Sequence, residues 1–419
     1  MIRFTGWLFE KSSAAVQPAG PEKHRAAEKR LASPPATASS RRGSNQPFRA
    51  AALFLVCVCA TSTASAQWTI TDLGDLPGGG NVSVARGINN AGQVVGNSNA
   101  ATGNRAFLWQ NGVMTNLGDL PGGYGSVAYG INNAGQVAGT SEAFTGSRAF
   151  MWQNDVMTNL GVLPGHVFSS ASGINDAGQV VGTSGAPTGE TFFGNSSAST
   201  GQRAFLWQNG IMTNLGVLGE VPEASDYSGA TSINNSGQVV VNGLEPTNLR
   251  AFVWQNGAIT KLGSLYGSYA YGINNAGLVV GESGSAAGPR AVVWQNGVMI
   301  DLGDLPGGPD FTRATDINNA GQVVGWSKNE TNTDRAFLWE NGVMVDLNTV
   351  GGVAGTGWVL GGAYAINDLG QIVGSGINPE GYEHAFMLTP VPEPEAYLMM
   401  GAGVCLVGVI ARRRQKISR

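Results

Sequence analysis

The chain has 419 residues, of which 63 are Gly, 12% are charged, and only 3 are Cys and 3 are His. A formal net charge of −4 hides an acidic body between two basic ends: residues 1–66 hold nine Lys/Arg against three Glu (+6), residues 67–395 ten against twenty-five Asp/Glu (−15), and residues 396–419 five against none (+5). An acidic body without a basic stripe excludes nucleic-acid recognition, and with Cys57, Cys59 and Cys405 confined to the ends it excludes a disulfide framework or cysteine metal centre.

In chain order, residues 1–49 form an Ala/Ser/Pro/Arg-rich leader extension, too long for an ordinary basic n-region and consistent with a start codon read too early. Residues 50–66 are an apolar run ending in Ala64-Ser65-Ala66, the small-x-small pattern of a signal-peptidase site, so the mature chain is expected to begin at Gln67. The run is too short to span a membrane.

The body, residues 67–390, is dominated by an internal repeat, A-x-G-I-N-N-A-G-Q-V-V-G…R-A-F-L-W-Q-N-G-V-M-T-N-L-G-x-L-P-G-G. Its Ile recurs at Ile88, Ile131, Ile174, Ile233, Ile273, Ile317 and Ile366, giving seven copies. Each copy holds four short runs of β-forming residues separated by Gly/Asn turns. Asn132-Asn133-Ala134-Gly135 reads as a tight hairpin, and Asn-Gly (Asn111-Gly112, Asn209-Gly210, Asn256-Gly257) suits a type I′ turn. Four antiparallel strands per 40–45 residues is the size of a propeller blade. Trp68–Gly74 matches the fourth run, whereas the last copy stops after the third, His384–Leu388. The N-terminal strand is therefore expected to complete the last blade. The fold class is all-β, a seven-bladed propeller of four-stranded blades, one domain and monomeric, with the first run lining the axis. Alternation places Arg148, Phe150 and Trp152 on one face of the third run and Ala149 and Met151 on the other, with the aromatics between blades.

The repeated Ile-Asn-x-x-Gly-Gln-Val-Val-Gly followed by [His/Arg]-Ala-Phe-x-Trp resembles the HAF repeat of predicted extracellular bacterial proteins. Only His384-Ala385-Phe386 keeps the histidine; Arg105, Arg148, Arg203, Arg250, Arg290 and Arg335 replace it elsewhere. The resemblance implies an exported repeat protein with a binding role, and gives no support to a catalytic or metal-binding histidine.

At the C-terminus, residues 391–419, Pro392-Glu393-Pro394 precede an apolar helix over 396–411 and the cluster Arg412-Arg413-Arg414. This order resembles the PEP-CTERM sorting signal of Gram-negative bacteria. The resemblance implies a transient inner-membrane anchor removed by an exosortase, and final placement in the envelope, at the surface or outside the cell.

Most chemical motifs read as repeat grammar. Gly-x-Ser-x-[Gly/Ala] at Ser141, Ser184 and Ser283 recurs at the end of second runs, whereas a nucleophile elbow needs a strand-to-helix turn. The repeated Arg is expected to satisfy carbonyls or stack on Trp, and Asp75, Asp119 and Asp304 lack the dense ligand loop of a calcium motif. No cofactor or metal is expected. Asymmetry points to the third copy, where two insertions bring Glu190, Phe192, Phe193, Glu220, Glu223, Asp226 and Tyr227 to one face as a candidate exposed ligand patch. The leading function is a non-catalytic extracellular binding or scaffolding protein with exopolysaccharide as ligand. The alternative is a propeller-type polysaccharide lyase or glycosidase, for which Asp316, Arg86, Arg313 and several Tyr are the available first-run groups.

Overall fold

The computed structural model describes residues 67–185, 201–216, 227–245, 248–264 and 266–391. Each repeat copy folds into an antiparallel sheet whose strands follow sequence order; in the second blade these are Gly123–Ile131, Val137–Ala143, Arg148–Gln153 and Val156–Asn159. Two turn chemistries make the hairpins. In the first, the Asn132 N–H donates to the Gln136 carbonyl and the Gly135 N–H to the Asn132 carbonyl. In the second, Asn111 and Gly112 adopt φ of 51° and 82°, the pair of positive values that a type I′ turn requires.

Seven such sheets form, and no helix occurs among the described residues. The seventh is assembled from both ends of the body: Val359–Ile366, Ile372–Ile377 and Glu383–Val391, with Gln67–Asp72 as its outermost strand. The register runs from Gln67 opposite Val391 to Asp72 opposite Phe386. Innermost strands touch their neighbours all the way round, the first blade meeting the seventh. The chain is thus a seven-bladed β-propeller, and ring closure leaves only the short outer strands as edges. Among the described residues every strand lies within 67–391, and these strands close the ring.

Apolar side chains fill the seven blade junctions. Phe107 and Trp109 of the first blade pack with Ala365, Val373 and Met387 of the seventh. Phe150 and Trp152 of the second pack with Val95 and Ala106 of the first, while Ala149 and Met151 face Phe205 and Trp207 of the third. The two-sided alternation of the third strand is therefore what welds blade to blade, each aromatic contributing roughly 1.5–3 kcal/mol by burial. The Gly of Val-Val-Gly makes room for it: a Cβ on Gly139 would lie 2.2 Å from the Val127 carbonyl oxygen and 2.6 Å from the Phe150 ring.

Hydroxyls stitch the same junctions. Ser126 Oγ accepts the Ala106 N–H of the preceding blade and donates to the Gly118 carbonyl; Ser83 and Ser169 repeat the pair. The second-strand serines Ser98, Ser141, Ser184 and Ser327 accept the N–H of Leu76, Leu120, Leu163 and Leu305 in the Leu-Pro-Gly-type connections. The Gly-x-Ser string is thus a loop anchor on a strand, with no helix to form an elbow.

Candidate functional site: the two ends of the axial wall

The Ile-Asn-Asn turns converge on the axis at one face of the disc. Asn89 Nδ2 donates to the Asn132 carbonyl, Asn132 to Asn175, Asn175 to Asn234, Asn234 to Asn274, Asn274 to Asn318, Asn318 to Asn367, and Asn367 back to Asn89, at 2.9–3.1 Å. These seven bonds close a ring of buried carboxamides. Each also serves its own turn: Asn234 Oδ1 accepts the N–H groups of Ser236 and Gln238, and its Nδ2 also reaches Gln238 Oε1. A carboxamide with two acceptor bonds and two donor bonds is fully used.

A second ring lies outside it. The N–H of each following residue donates to Oδ1 of its counterpart one blade on, through Asn90, Asn133, Asp176, Asn235, Asn275, Asn319 and Asp368, and closes on Asn90. Its two carboxylates are braced by carboxamides, Asp176 by Asn133 and Asn235, Asp368 by Asn90 and Asn319. Burial favours their neutral forms, but these hydrogen bonds outweigh it and hold both pKa values below the usual carboxylate range. The rings enclose a depression of about 190 Å³. Sequence reasoning recognised the turn but not the ring, because the bonds run between copies 40–59 residues apart, and 278 apart where the ring closes.

Below the rings the symmetry breaks. Every innermost strand carries a β-bulge at one equivalent place, at Arg86, Tyr129, Ser172, Thr231, Tyr271, Thr315 and Tyr364. The preceding residue is Ala in every copy, whereas the bulged residue differs; bulges re-aim a side chain and are common beside functional sites. The junctions differ accordingly. Thr140 and Ser170 hydroxyls bond across blades two and three. Thr231 and Asn242 both donate to the Ala270 carbonyl across blades four and five, and Thr315 donates to Ala363 across six and seven. Arg86 of the first blade donates to Asn97 and lies 5.4 Å from the Tyr129 ring centre of the second.

Blades five and six are joined by larger groups. Arg313 Nε and Nη2 donate to the two oxygens of Glu282 at 2.8 and 3.2 Å. The guanidinium lies 5.2 Å from the ring centres of both Tyr271 and Trp326. Trp326 in turn stacks on Phe311 at 5.5 Å, and Tyr269 meets Tyr271 at 4.7 Å. Burial pushes the Tyr269 and Tyr271 hydroxyls well above the usual tyrosine pKa, so both remain protonated. Arg313 and Glu282 side chains are 29% and 17% exposed. Arg313 Nη1 and Trp326 Nε1 have no partner among the described residues.

Several candidates take structural positions. Third-strand arginines bind the connection into the next blade: Arg105 donates to the Tyr124 carbonyl and pairs with Asp119 at 3.1 Å, and Arg148 donates to the Val167 carbonyl. His384 faces Asp72 of the closing strand at 2.9 Å. Asp316 stands where most copies have Gly or Ala and accepts the Ile317 and Ile366 N–H groups. Burial pushes its carboxyl up to about 7, against the lowering effect of those two bonds.

Of the third-copy patch, Glu190, Phe192, Phe193, Glu220, Glu223 and Asp226 lie outside the described residues. Tyr227 lies within them and corrects the expectation of exposure: it is 8% exposed. The reason is that it belongs to the ladder and not to the loop. Its carbonyl accepts the Leu244 N–H, its backbone bridges to Gln202, and its side chain bonds to Tyr269. Ala64 and Ala66 lie outside the described residues, whereas Gln67 opens the outermost strand of the seventh blade. Pro392, Glu393, Pro394, Arg412, Arg413, Arg414 and the 396–411 segment also lie outside them.

Residues 390–415 match the PEP-CTERM protein-sorting motif. The match begins inside the last strand, at Pro390, opposite Trp68. No curated protein matches the chain. Among solved structures the chain is similar to the acylaminoacyl peptidase of Pyrococcus horikoshii, at 10% identity and a TM-score of 0.46 over 76% of this chain and 54% of that one. It is also similar to dipeptidyl peptidase 4 of Porphyromonas gingivalis, at 10% and 0.40 over 70% and 50%. The β-propeller domain of the Trilobed protease from Pyrococcus furiosus gives 10% and 0.46 over 74% and 96%. The chain spans about half the length of the first two.

Proposed function

We propose that this protein is exported, sorted to the cell envelope through its C-terminal signal with an exosortase as processing partner, and acts there as a non-catalytic propeller that binds or scaffolds an extracellular ligand such as exopolysaccharide. The observation that carries the sorting half is the match over residues 390–415, continuous with the strand that closes the ring. The HAF-like repeats support an extracellular role. A binding role is supported by how the wall carboxylates are engaged. Glycoside hydrolysis needs a pair of carboxyl groups, one donating a proton and one attacking or activating water. Glu282 is gripped bidentately by Arg313, and both Asp316 oxygens accept backbone N–H groups.

The test has two arms. Deleting residues 392–419 should move the protein from the envelope fraction, and an unchanged distribution would refute the sorting reading. Residues 67–391 incubated with exopolysaccharide should retain it without new reducing or unsaturated ends. New ends, lost on Asp316→Asn, would favour the lyase or glycosidase.

A further inference from the structure

We infer that the junction of blades five and six, built from Tyr271 and Arg313 of the innermost strands and Glu282 and Trp326 of the second strands, is a binding site for a neutral, polyhydroxylated sugar unit. This rests on the reading of the protein as an extracellular binder and gives it a place and a chemistry.

The seven copies act as their own control. At the strand position of Arg313 the other blades carry Val84, Val127, Ser170, Gly229, Tyr269 and Gly362; at that of Trp326 they carry Asn97, Thr140, Thr183, Asn242, Glu282 and Ser375. Neighbouring positions stay nearly constant, with Ala85, Ala128, Ala171, Ala230, Ala270, Ala314 and Ala363 beside the bulge. Variation is thus concentrated at this cross-strand pair of the first two strands. Closing a junction does not require large or charged groups, since blades four and five meet through Thr231, Asn242 and the Ala270 carbonyl. An Arg–Glu pair taken partly out of water carries a desolvation cost that a Thr or Asn avoids. A cost borne at one junction, where a neutral solution exists at the adjacent one, points to a task other than closure.

The chemistry at that junction is specific. The guanidinium carbon lies 5.2 Å from the Tyr271 and Trp326 ring centres and the group is locked by two bonds to Glu282, so its orientation is set before any ligand arrives. Pre-orientation lowers the cost of binding. What remains is a mixed set: Arg313 Nη1 and Trp326 Nε1 as donors, and Glu282 as acceptor, chiefly through Oε2, since Oε1 already takes Arg313 Nη2 and the Tyr271 hydroxyl at 3.4 Å. A sugar hydroxyl both donates and accepts, so adjacent hydroxyls can bridge such a donor–acceptor pair. The Arg313 charge is already matched by Glu282, so the site offers no surplus cation to an anionic ligand.

The experiment titrates residues 67–391 by calorimetry with neutral gluco-, manno- and galacto-oligosaccharides and with oligogalacturonate. The wild type should bind at least one neutral series better than the uronate. Glu282→Gln and Arg313→Lys should each weaken it tenfold or more. Tyr271→Phe keeps the ring over Arg313 and deletes one hydroxyl; it covers the case in which the charge variants misfold and should weaken binding about threefold. Neutral-sugar affinity unchanged within twofold in folded variants would overturn the site while leaving the binder reading standing. Preference for the uronate, strengthened by Glu282→Gln, would overturn the ligand class. Absence of binding to any saccharide, together with no retention of exopolysaccharide, would overturn both.

Discussion

Replacing Asn234 by Ala removes one link of the inner axial ring. The side chain makes four bonds: it accepts from the Ser236 and Gln238 N–H groups at 3.0 Å and donates to Gln238 Oε1 at 2.8 Å and the Asn274 carbonyl at 3.0 Å. At roughly 0.5–1.5 kcal/mol net per bond, with an added penalty for each partner left buried and unpaired, the loss should be about 4 kcal/mol. That is a large share of the ~5–15 kcal/mol that holds a typical domain folded. The fifth blade supplies an internal comparison. It has Leu278 where the other turns have Gln, and Asn274 there keeps its bond to Asn318 and the N–H bond from Leu278. Gln238→Leu forfeits the Asn234 bond and a long 3.4 Å bond to Gln255, and should therefore cost only about 1–2 kcal/mol. Urea unfolding of residues 67–391, read as midpoint shifts at constant slope, measures both. If Asn234→Ala falls within 1 kcal/mol of the wild type, or matches Gln238→Leu, the carboxamide ring does not hold the blades together.

Trp207→Ala should destabilise by about 3–5 kcal/mol, because the ring fills the junction with Leu160, Leu163 and Val180; thermal melts check this, and a change below 1 kcal/mol would contradict it. Ser141→Ala should cost about 1–3 kcal/mol by orphaning the Leu120 N–H, measured by chemical unfolding. Asp316 gives a pH signature. Its folded pKa is raised to about 7 from an unfolded value of about 3.9, so the native state binds the extra proton and is favoured most below about pH 4. That stability is lost as pH rises through 7, at up to about 1.4 kcal/mol per unit. Asp316→Asn should flatten the slope between about pH 4 and 7, and parallel wild-type and variant profiles would refute the assignment. Deleting Gln67–Asp72 should leave the Glu383–Val391 edge unpaired and raise the light scattering above that of the undeleted protein through edge-to-edge association.

How much of this was legible in the sequence follows from the range of the contacts. Strand boundaries, the Asn-Gly turns and the borrowed outer strand are local or periodic, and Trp68–Gly74 could be matched to Met114–Gly118 by eye. The two-sided role of Phe150 and Met151 followed from alternation alone. The axial rings were not legible, because Asn132 satisfies its own turn and also bonds Asn175, and only the second fact depends on blade order. Tyr227 was misplaced for a related reason. It falls within the lengthened connection over 217–229, and nothing in its neighbours announces that Leu244, seventeen residues on, draws it into a ladder. The wall at Glu282 and Arg313 was visible only as an Arg among first-run residues; its meaning depends on the bulge and on register with the second strand.

The seam between the two chain ends also sets how the molecule bears load. Along Glu383–Val391, pairing with Ile372–Ile377 ends at Leu388, while pairing with Gln67–Asp72 continues to Val391. Thr389, Pro390 and Val391 are thus paired in the ladder with the N-terminal strand alone, Thr389 taking in addition a side-chain bond from Gln371 at 3.3 Å. Tension from a tail fixed in a membrane would reach the disc first through those three residues, against Gln67, Trp68 and Thr69. Trp68 is the rivet of that seam: it is buried with Leu347, Val350 and Leu388, and its N–H donates to the Gly351 carbonyl. Force on the tail would therefore peel the seam from its end, one residue pair at a time, until it met this rivet, and the remaining blades would be loaded only after it gave way.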